Sequence, residues 1–355
     1  RTSFITPDLL PGVCQAMVMH LDSDRGCRLC SLHVVPRCRP GTVHLPEEAF
    51  KMPLHPLITT LLLIAFSMPA TAVERSQQGD SPWKWTLDAG AVYQSSTSLD
   101  SGGDMSVGRV FVSGGLGLVF ARRWRVGAAL GYGEDHHDFS GSSGLGGLDP
   151  WDRVREFRIS VPLQYFANEQ WTVYAIPSLR YSAESGASLN DGRNGGLIAG
   201  AAYKISDTLS IGPGLGVFSE IEDSTSVFPI LVIDWKITDT LSLETGGGFA
   251  ASRGPGLQLK WQYSPRWQFA LGGRYEKTRF RLDDSGPAPD GVGQDKAFPL
   301  FALAEFAASS DITLSLLGGA ELGATLRLED ESGDLISKSD LSTAPFFGAT
   351  LKVKF

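Results

Sequence analysis

After Cys38 the 355-residue chain contains no further cysteine, and after His55 its only histidines are His136 and His137. Clusters of lysine and arginine are missing, and the formal net charge is −8, which argues against nucleic acid as a partner. Long runs of the helix formers Ala, Glu, Lys and Leu are missing as well. In their place stand 41 glycines and short apolar segments that alternate with polar positions. This is the pattern of an all-β protein.

Residues 1–51 differ from the rest of the chain, because they show no strand or helix period and contain every cysteine of the sequence: Cys14, Cys27, Cys30 and Cys38. The segment begins with Arg1, and a second possible start, Met52, follows it. We interpret 1–51 as a mis-called upstream translation or an untypical leader that is not part of the mature protein. The alternative is a small zinc site in which Cys27 and Cys30 combine with Cys14, His33 or Cys38, and a single CxxC pair supports it weakly.

Residues 52–72 predict a secretory signal peptide. An apolar core covers 57–66, and Ala70-Thr71-Ala72 provides the small residues that a signal peptidase needs before its cleavage site. The core is too short to span a membrane as a stable helix. We therefore expect export through the Sec pathway and a mature domain that covers 73–355.

Between residues 83 and 355 an apolar–polar period of two predicts an antiparallel meander of fourteen strands, with twelve or sixteen as the nearest alternatives. A tilted strand needs about 10 residues to span a membrane, and the predicted strands are about that long. They are 83–95, 107–121, 124–137, 154–167, 171–184, 195–206, 209–221, 226–237, 241–251, 256–264, 267–282, 297–308, 312–328 and 344–355.

Tight turns alternate along the chain with longer connections rich in Gly, Ser and Asp. The tight turns are 122–123, 168–170, 207–208, 238–240, 265–266 and 309–311. Two of them fall in a near-repeat, KISDTLSIG at 204–212 and KITDTLSLE at 236–244. Short turns at one end and long loops at the other are typical of an up-and-down transmembrane β-barrel.

One face of the predicted strands is uncharged and the other holds the charges. A soluble sandwich or propeller would bury the uncharged face, whereas a membrane barrel turns it toward lipid. Tryptophan positions favour the barrel, because Trp151 alone falls in a long loop and the others lie near the short-turn end, as in a belt at a membrane interface. The predicted belt consists of Trp83, Trp85, Trp124, Trp171, Trp235, Trp261 and Trp267.

With a cleavable signal peptide, a cysteine-free strand meander and a last strand that ends in Phe355, residues 52–355 resemble bacterial outer-membrane β-barrel proteins of uncharacterised, porin-like kinds. The resemblance implies outer-membrane lipid as the surroundings of the protein. It also implies that Phe355 acts as the signal by which the barrel-assembly machinery recognises the last strand.

If the apolar faces point outward, side chains of both charges line the lumen, which favours an aqueous interior. The candidate lumen-lining residues are Arg109, Arg125, Arg158, Arg180, Lys204, Asp234, Lys236, Glu244, Lys260, Arg274, Glu276, Glu305, Glu321, Arg327 and Lys352. We therefore predict a passive channel for small hydrophilic solutes, and a slight positive excess inside hints at anions. The alternative is a closed structural or recognition barrel that binds a partner through its loops, with its lumen plugged by paired charges.

A third hypothesis, an outer-membrane enzyme, would depend on His136 or His137. These residues lie in the acidic stretch GYGEDHHDF, and their side chains point to opposite faces of a strand, so only one of them could look into the lumen. No Gly-x-Ser-x-Gly elbow frames a nucleophile, and the glycine strings lack the Gly-Lys-Ser/Thr of a phosphate loop. We therefore predict neither catalysis nor a cofactor.

Overall fold

The computed structural model describes residues 83–121, 123–245 and 256–355. The predicted upstream segment, its cysteines and the signal peptide lie outside these residues. In the described part of the chain no helix is long and apolar enough to cross a membrane.

The described residues form a closed antiparallel barrel with one short helix, which confirms the predicted fold class. The strands are β1 (Trp83–Ser98), β2 (Asp104–Phe120), β3 (Trp124–Ser140), β4 (Arg153–Ser160), β5 (Leu163–Phe166), β6 (Trp171–Glu184), β7 (Arg193–Lys204), β8 (Leu209–Glu220), β9 (Asp223–Lys236), β10 (Leu241–Thr245), β11 (Gly256–Gln262), β12 (Trp267–Arg274), β13 (Glu276–Arg281), β14 (Val292–Ala307), β15 (Ile312–Glu329), β16 (Leu335–Asp340) and β17 (Ala344–Lys354). Helix α1 is Gly144–Leu148.

Two of the predicted strands, 154–167 and 267–282, are interrupted, and the unpredicted segment β16 precedes the last strand in the same place of the wall, so that seventeen described segments occupy fourteen places. β4 and β5 both pair with β3 and β6, β12 and β13 both pair with β14, and β16 and β17 both pair with β15. Between β4 and β5 stands Pro162, which has no N–H to give to a neighbouring strand. β1 pairs with β17 from Thr86↔Lys354 to Gln94↔Phe346, and this pairing closes the ring.

Most short turns begin with a side-chain oxygen that accepts a backbone N–H. Asn168 accepts from Gln170 and Trp171, and Ser309 accepts from Asp311 and Ile312. In the two copies of the near-repeat, the hydroxyls of Ser206 and Thr238 accept from the N–H two residues later, at 3.2 and 3.3 Å. The repetition therefore reflects the same local turn chemistry at the same end of the barrel.

At the end with the longer connections, buried apolar side chains from strands and loops form a core that we call the cap. Its members are Leu99, Met105, Val107, Phe139, Leu145, Trp151, Val154, Phe280, Leu282, Ala288, Ala297, Ala324, Leu326, Leu328 and Leu341. Trp151 is only 2% exposed, and its ring contacts those of Phe139 and Phe280 edge-on at centroid distances of 5.4 and 5.2 Å. The loop between β3 and β4 therefore contributes the largest side chain of a packed core.

The cap crosses the barrel end. β13 belongs to the wall beside β14, but at Arg281 it also forms a parallel bridge to Ala183 of β6, a strand that is not its neighbour in the ring. On its other side, Arg279 Nε donates to the carbonyl of Ile221 at 2.9 Å, and Arg281 Nη2 lies 2.5 Å from Glu222 Oε1. β13 thus connects the end of β6 to the turn between β8 and β9.

Hydrogen bonds between distant segments fasten the rim of the cap. Asp100, between β1 and β2, accepts from the Ser339 hydroxyl and the Asp340 N–H, each at 2.8 Å. The Ser339 bond first and the Asp340 bond second lower the pKa of the Asp100 carboxyl. The contact therefore holds the loop after β1 against β16 while Asp100 is ionised.

A bulge in β15 changes which side chains face inward near the cap. Between the pairs Lys296↔Thr325 and Phe298↔Leu322, β15 contains one residue more than β14. The extra residue lies at Gly323, whose φ of +56° is in the left-handed region. Because the side-chain period is two, every residue of β15 beyond Gly323 changes face relative to a regular strand.

We expect Gly323→Val to destabilise the barrel by about 1–2 kcal/mol, since a left-handed conformation costs a side-chain-bearing residue roughly that much. Gly318→Val is the matched control, because Gly318 has no positive φ and a Cβ there would meet only ordinary contacts. Tryptophan fluorescence during urea unfolding in detergent would measure both variants. Equal unfolding midpoints for the two variants would contradict a strained position at 323.

Candidate functional site

The strand register separates the residues that face the interior from those that face outward. Val92 pairs with Arg109, and Arg109 pairs with Asp135, so these three lie in one row on the same face. The alternate positions carry large exposed apolar side chains, such as Leu231 and Leu316. The charged face is therefore the interior face, and the apolar face surrounds the barrel.

Arg109 is the centre of the charge network just below the cap. Its guanidinium lies 3.1 Å from Glu321, 3.5 Å from Asp295 and 3.8 Å from Asp135, and it donates to Gln94 at 2.9 Å. The Arg109 side chain is only 10% exposed. One buried cation therefore joins β1, β2, β3, β14 and β15 across the interior.

A second group forms around Glu156, to which two arginines converge. Arg158 Nη2 lies 2.5 Å from Glu156 Oε1, and Arg180 Nε lies 3.5 Å from Glu156 Oε2. On the opposite side, Arg274 pairs with Glu276 and stands over the ring of Phe301 at 5.6 Å. Four of these five charged residues line the same cavity as Arg109: Glu156, Arg158, Arg274 and Glu276.

Nearer the short turns the charges form smaller pairs. Lys260 Nζ lies 2.8 Å from Glu244, and Lys352 Nζ lies 3.2 Å from Asp88. Arg125 stands 4.9 Å from the centre of the Phe166 ring. Lys204 reaches down to Asp207 in the turn at 2.6 Å.

The register also places Asp234, Lys236 and Glu305 on the interior face, through the pairs Asp234↔Ser210, Lys236↔Ser242 and Glu305↔Gln268. Arg327 is different. It lies beyond the bulge at Gly323, so it falls on the face opposite to Glu321, where it is 2.9 Å from Glu329 Oε1. Arg327 is therefore in register with Gln294 and Arg279, on the face opposite to the Arg109 network.

The cap contains a buried ion pair that the sequence reasoning did not identify. Arg279 and Glu329 have side chains that are 1% and 2% exposed, and Arg279 Nη2 lies 2.5 Å from Glu329 Oε2. Arg279 also donates to Gln294 Oε1 at 3.1 Å. Nothing in the local sequence marks this pair, because it depends on the way β13 crosses the barrel end.

Apolar side chains on the interior face were also missed. One cluster consists of Val92, Ala270, Phe301, Leu303, Leu317 and Phe346. A second row is formed by Phe228, Ile230 and Val232, which alternate with outward-facing Val227, Pro229 and Leu231. The signal was present, since FPILVIDW at 228–235 is a nearly continuous apolar run, and such a run indicates a strand with two apolar faces.

Two cavities remain between these groups. One has a volume of about 320 Å³ and is lined by Asp88, Arg109, Glu156 and Glu321 among others. The other, of about 1050 Å³, lies against β6, β7, β8 and β9 and is bordered above by Lys277 and Arg279. Arg158 and Ser160 line both. The interior described here is therefore not filled by side chains.

The seven tryptophans of the expected belt are all exposed on the outside of the barrel, in contrast to buried Trp151. Several pack against aromatic neighbours on adjacent strands. Trp124 contacts Tyr165 at a centroid distance of 4.5 Å, and Trp171 contacts Tyr203 at 5.0 Å. This ring of aromatic side chains near the short turns is what a membrane-interface belt requires, and its position in a bilayer remains our proposal.

His136 and His137 lie on opposite faces of β3. His136 faces outward, where its Nε2 is 2.6 Å from Glu134 Oε1 and Arg153 Nε lies 3.3 Å from the same oxygen. His137 faces inward and is buried in the cap, with ring contacts to Phe139, Trp151 and Phe280. In the described residues no group of three or more His, Cys, Asp or Glu side chains has the arrangement to hold a metal ion.

A model of the outer membrane protein β-barrel domain matches residues 58–222. Over these residues, somewhat less than half of the chain, the sequence is similar to that domain. The signal for this class was already visible in the sequence, and the closed ring of strands agrees with it.

Solved structures with similar folds are outer-membrane channels. An outer membrane channel from Pseudomonas putida F1 is 11% identical, with a TM-score of 0.43 and coverage of 80% of this chain and 100% of that one. The P. putida toluene transporter TodX is 12% identical, with a TM-score of 0.40 and coverage of 78% and 90%. The KdgM porin, solved in complex with disordered oligogalacturonate, is 8% identical, with a TM-score of 0.33 and coverage of 76% and 99%. A search of curated proteins finds no match.

We expect Arg109→Met to destabilise the barrel by roughly 3 kcal/mol or more, because removing one partner of a buried ion pair leaves carboxylates uncompensated. The double variant Arg109→Met with Glu321→Gln should recover part of the loss. Arg125→Met is the matched control. Arg125 is exposed, and its hydrogen bond to Gln164 is long, at 3.4 Å. Urea unfolding would measure all three, and a loss for Arg125→Met as large as that for Arg109→Met would refute the central role of Arg109.

Proposed function

We propose that this outer-membrane barrel is a passive channel for small hydrophilic solutes. The chain would be exported by its signal peptide at 52–72 and inserted by the barrel-assembly machinery, which would recognise the last strand and Phe355. Phe355 is exposed, and its backbone exchanges two hydrogen bonds with Trp85, at 3.0 and 3.3 Å. The terminal residue is therefore positioned at the seam where the barrel closes.

The observation that carries the proposal is the arrangement of charge around the unfilled interior. Guanidinium and carboxylate groups from at least six strands face one another across the 320 Å³ cavity, rather than being buried in a dry core. Charged side chains that face a cavity stay hydrated at a lower cost than charges in apolar packing. Such a lining lets water and small polar solutes pass.

The cap determines when the path is open at the loop end. Its apolar core and the crossing strand β13 close over the interior in the structure, so solutes would pass only when the cap loosens. Lids of this kind move on microsecond to millisecond timescales when few contacts hold them. Here Trp151 and the Arg279–Glu329 pair are among the most deeply buried side chains of the cap.

We expect Trp151→Ala to increase the open probability of single channels in planar lipid bilayers, because the loss of a buried tryptophan costs about 3–5 kcal/mol, and this loss falls on the cap. Trp171→Ala is the matched control, since it removes the same side chain from the exposed outer surface near a short turn. The control should leave the open probability unchanged. Far-ultraviolet circular dichroism would establish that both variants retain the barrel.

The packed cap also favours a second candidate function, a closed barrel that binds a partner through its loops. The same recordings separate the two. If neither the wild-type protein nor Trp151→Ala shows conductance steps while both are folded, the channel is refuted and the closed barrel is supported.

We propose no catalytic step. The enzyme hypothesis required His136 or His137 as a catalytic group. The two side chains lie on opposite faces of β3, in different surroundings. The Glu134 contact of His136 lies on the outer surface, where Tyr132 also donates to Glu134 at 3.0 Å. His137 is enclosed by aromatic rings, which suits a packing role.

A further inference from the structure

The larger cavity has one apolar wall, built from four consecutive strands. Ile176, Ile198, Gly216 and Phe228 pair in a straight row across β6, β7, β8 and β9. The next row toward the short turns runs from Tyr174 through Gly200 and Gly214 to Ile230. All these residues lie on the interior face, and those other than the glycines border a cavity of about 1050 Å³.

Glycines let the aromatic rings lie flat against this wall. A Cβ atom at Gly216 would collide with the ring of Phe228, and one at Gly196 would collide with the ring of Phe218. The two rings are almost parallel, with an angle of 7° and a centroid distance of 5.8 Å. Because each ring covers a glycine on the adjacent strand, its other face is directed toward the cavity.

Cationic side chains stand above the apolar wall. Arg180 is on the same strand as Ile176 and four residues nearer the cap, which is about 13 Å along an antiparallel strand. Arg180 and Arg158 converge on Glu156, so this three-residue group carries one more positive than negative charge. Asn194 pairs with Arg180 and adds an amide at the same level. All except Glu156 line the larger cavity.

We propose that this cavity binds small carboxylates that have an apolar body, with the body against Phe228 and Ile198 and the carboxylate toward Arg180 and Arg158. Guanidinium groups recognise carboxylates through charge-assisted hydrogen bonds. Flat rings and branched aliphatic chains supply apolar contact without a hydrogen-bonding demand. The inference names the solute class of the proposed channel and rests on that function for the ligand's path to the cavity.

The apolar wall and the arginines argue against two simpler ligand classes. A sugar or other polyol would leave its hydroxyls unpaired against Ile198, Ile230 and Phe228, at a cost of about 1–3 kcal/mol for each buried group. A plain hydrocarbon would fill the lower rows but gain nothing from Arg180. The separation between the apolar rows and the arginines therefore favours a molecule with distinct polar and apolar ends.

The test is isothermal titration calorimetry on the full mature barrel in nanodiscs of zwitterionic lipid, with empty nanodiscs subtracted. The probes are 3-phenylpropionate, 3-phenylpropanol and propionate. We expect the first to bind about tenfold more tightly than either of the others, since an ionic hydrogen bond or a buried ring is each worth at least about 1.4 kcal/mol. Equal affinities for 3-phenylpropionate and 3-phenylpropanol would overturn the assignment of the arginines.

Variants then locate the site. Phe228→Ala should weaken 3-phenylpropionate binding about tenfold, and Arg180→Gln should abolish the preference for the acid over the alcohol. Leu231→Ala is the matched control, because Leu231 lies on the same strand as Phe228 but is exposed on the outer face and does not line the cavity. If Leu231→Ala weakens binding as much as Phe228→Ala, the site is not this cavity and the inference fails.

Single-channel recording without any ligand keeps the two proposals distinguishable. Conductance without calorimetric binding would overturn this inference and leave the channel intact. Binding without conductance in the wild type or in Trp151→Ala would overturn the channel and leave the cavity as a ligand site of a closed barrel.

Discussion

Closure of the sheet by the pairing of β1 with β17 is the constraint on which the rest of the structure depends. In hydrocarbon, an unpaired backbone N–H or C=O costs several kcal/mol, and only a closed ring of strands pairs them all along its wall. Closure fixes the alternation of faces for every strand, so that apolar side chains surround the barrel and charges accumulate inside. The charge network, the cap and the cavities are consequences of that division. The hydrogen bonds between Phe355 and Trp85 place the last residue of the chain at the same seam.

A charged interior is costly unless each charge has a partner or water. Arg109 meets three carboxylates within 3.8 Å, and Glu156 meets two guanidinium groups. These clusters hold opposite sides of the wall at fixed distances, so they also keep the barrel from collapsing onto its apolar interior side chains. The Arg279–Glu329 pair does the same for the cap, where burial is almost complete and the desolvation cost is highest. Polar pairing therefore sets the shape of the space that apolar packing leaves open.

The strand pattern was predictable from the sequence because a period of two and the alternation of short and long connections are local signals. Residues such as Arg109, Glu244 and Lys260 could be assigned to one face by the same rule. Arg327 could not, because one glycine with a positive φ shifts the period and nothing around Gly323 distinguishes it from other glycines of the strand. Phe228, Ile230 and Val232 were overlooked for a different reason: a charged lumen was assumed, although their run is apolar on both faces. The cap was beyond reach, since the bridge between Arg281 and Ala183 joins segments about 100 residues apart.

The cap and the apolar wall share one cavity, and this connects their energetics. Lys277 and Arg279 extend from the crossing strand β13 to Glu220 and Asp223 at the top of β8 and β9, at 3.3 and 3.7 Å, and all four line the larger cavity. A movement of β13 away from the barrel end must therefore break these contacts and open the space above Phe228. A ligand shifts such an equilibrium only by its difference in affinity for the two states. A ligand whose carboxylate meets only Arg180 and Arg158, on the wall strands β6 and β4, is indifferent to the cap position, and one that also reaches Lys277 or Arg279 of β13 favours the closed cap. Contact with the cations of β13, rather than with the apolar wall or its arginines, thus determines how binding and cap position are coupled.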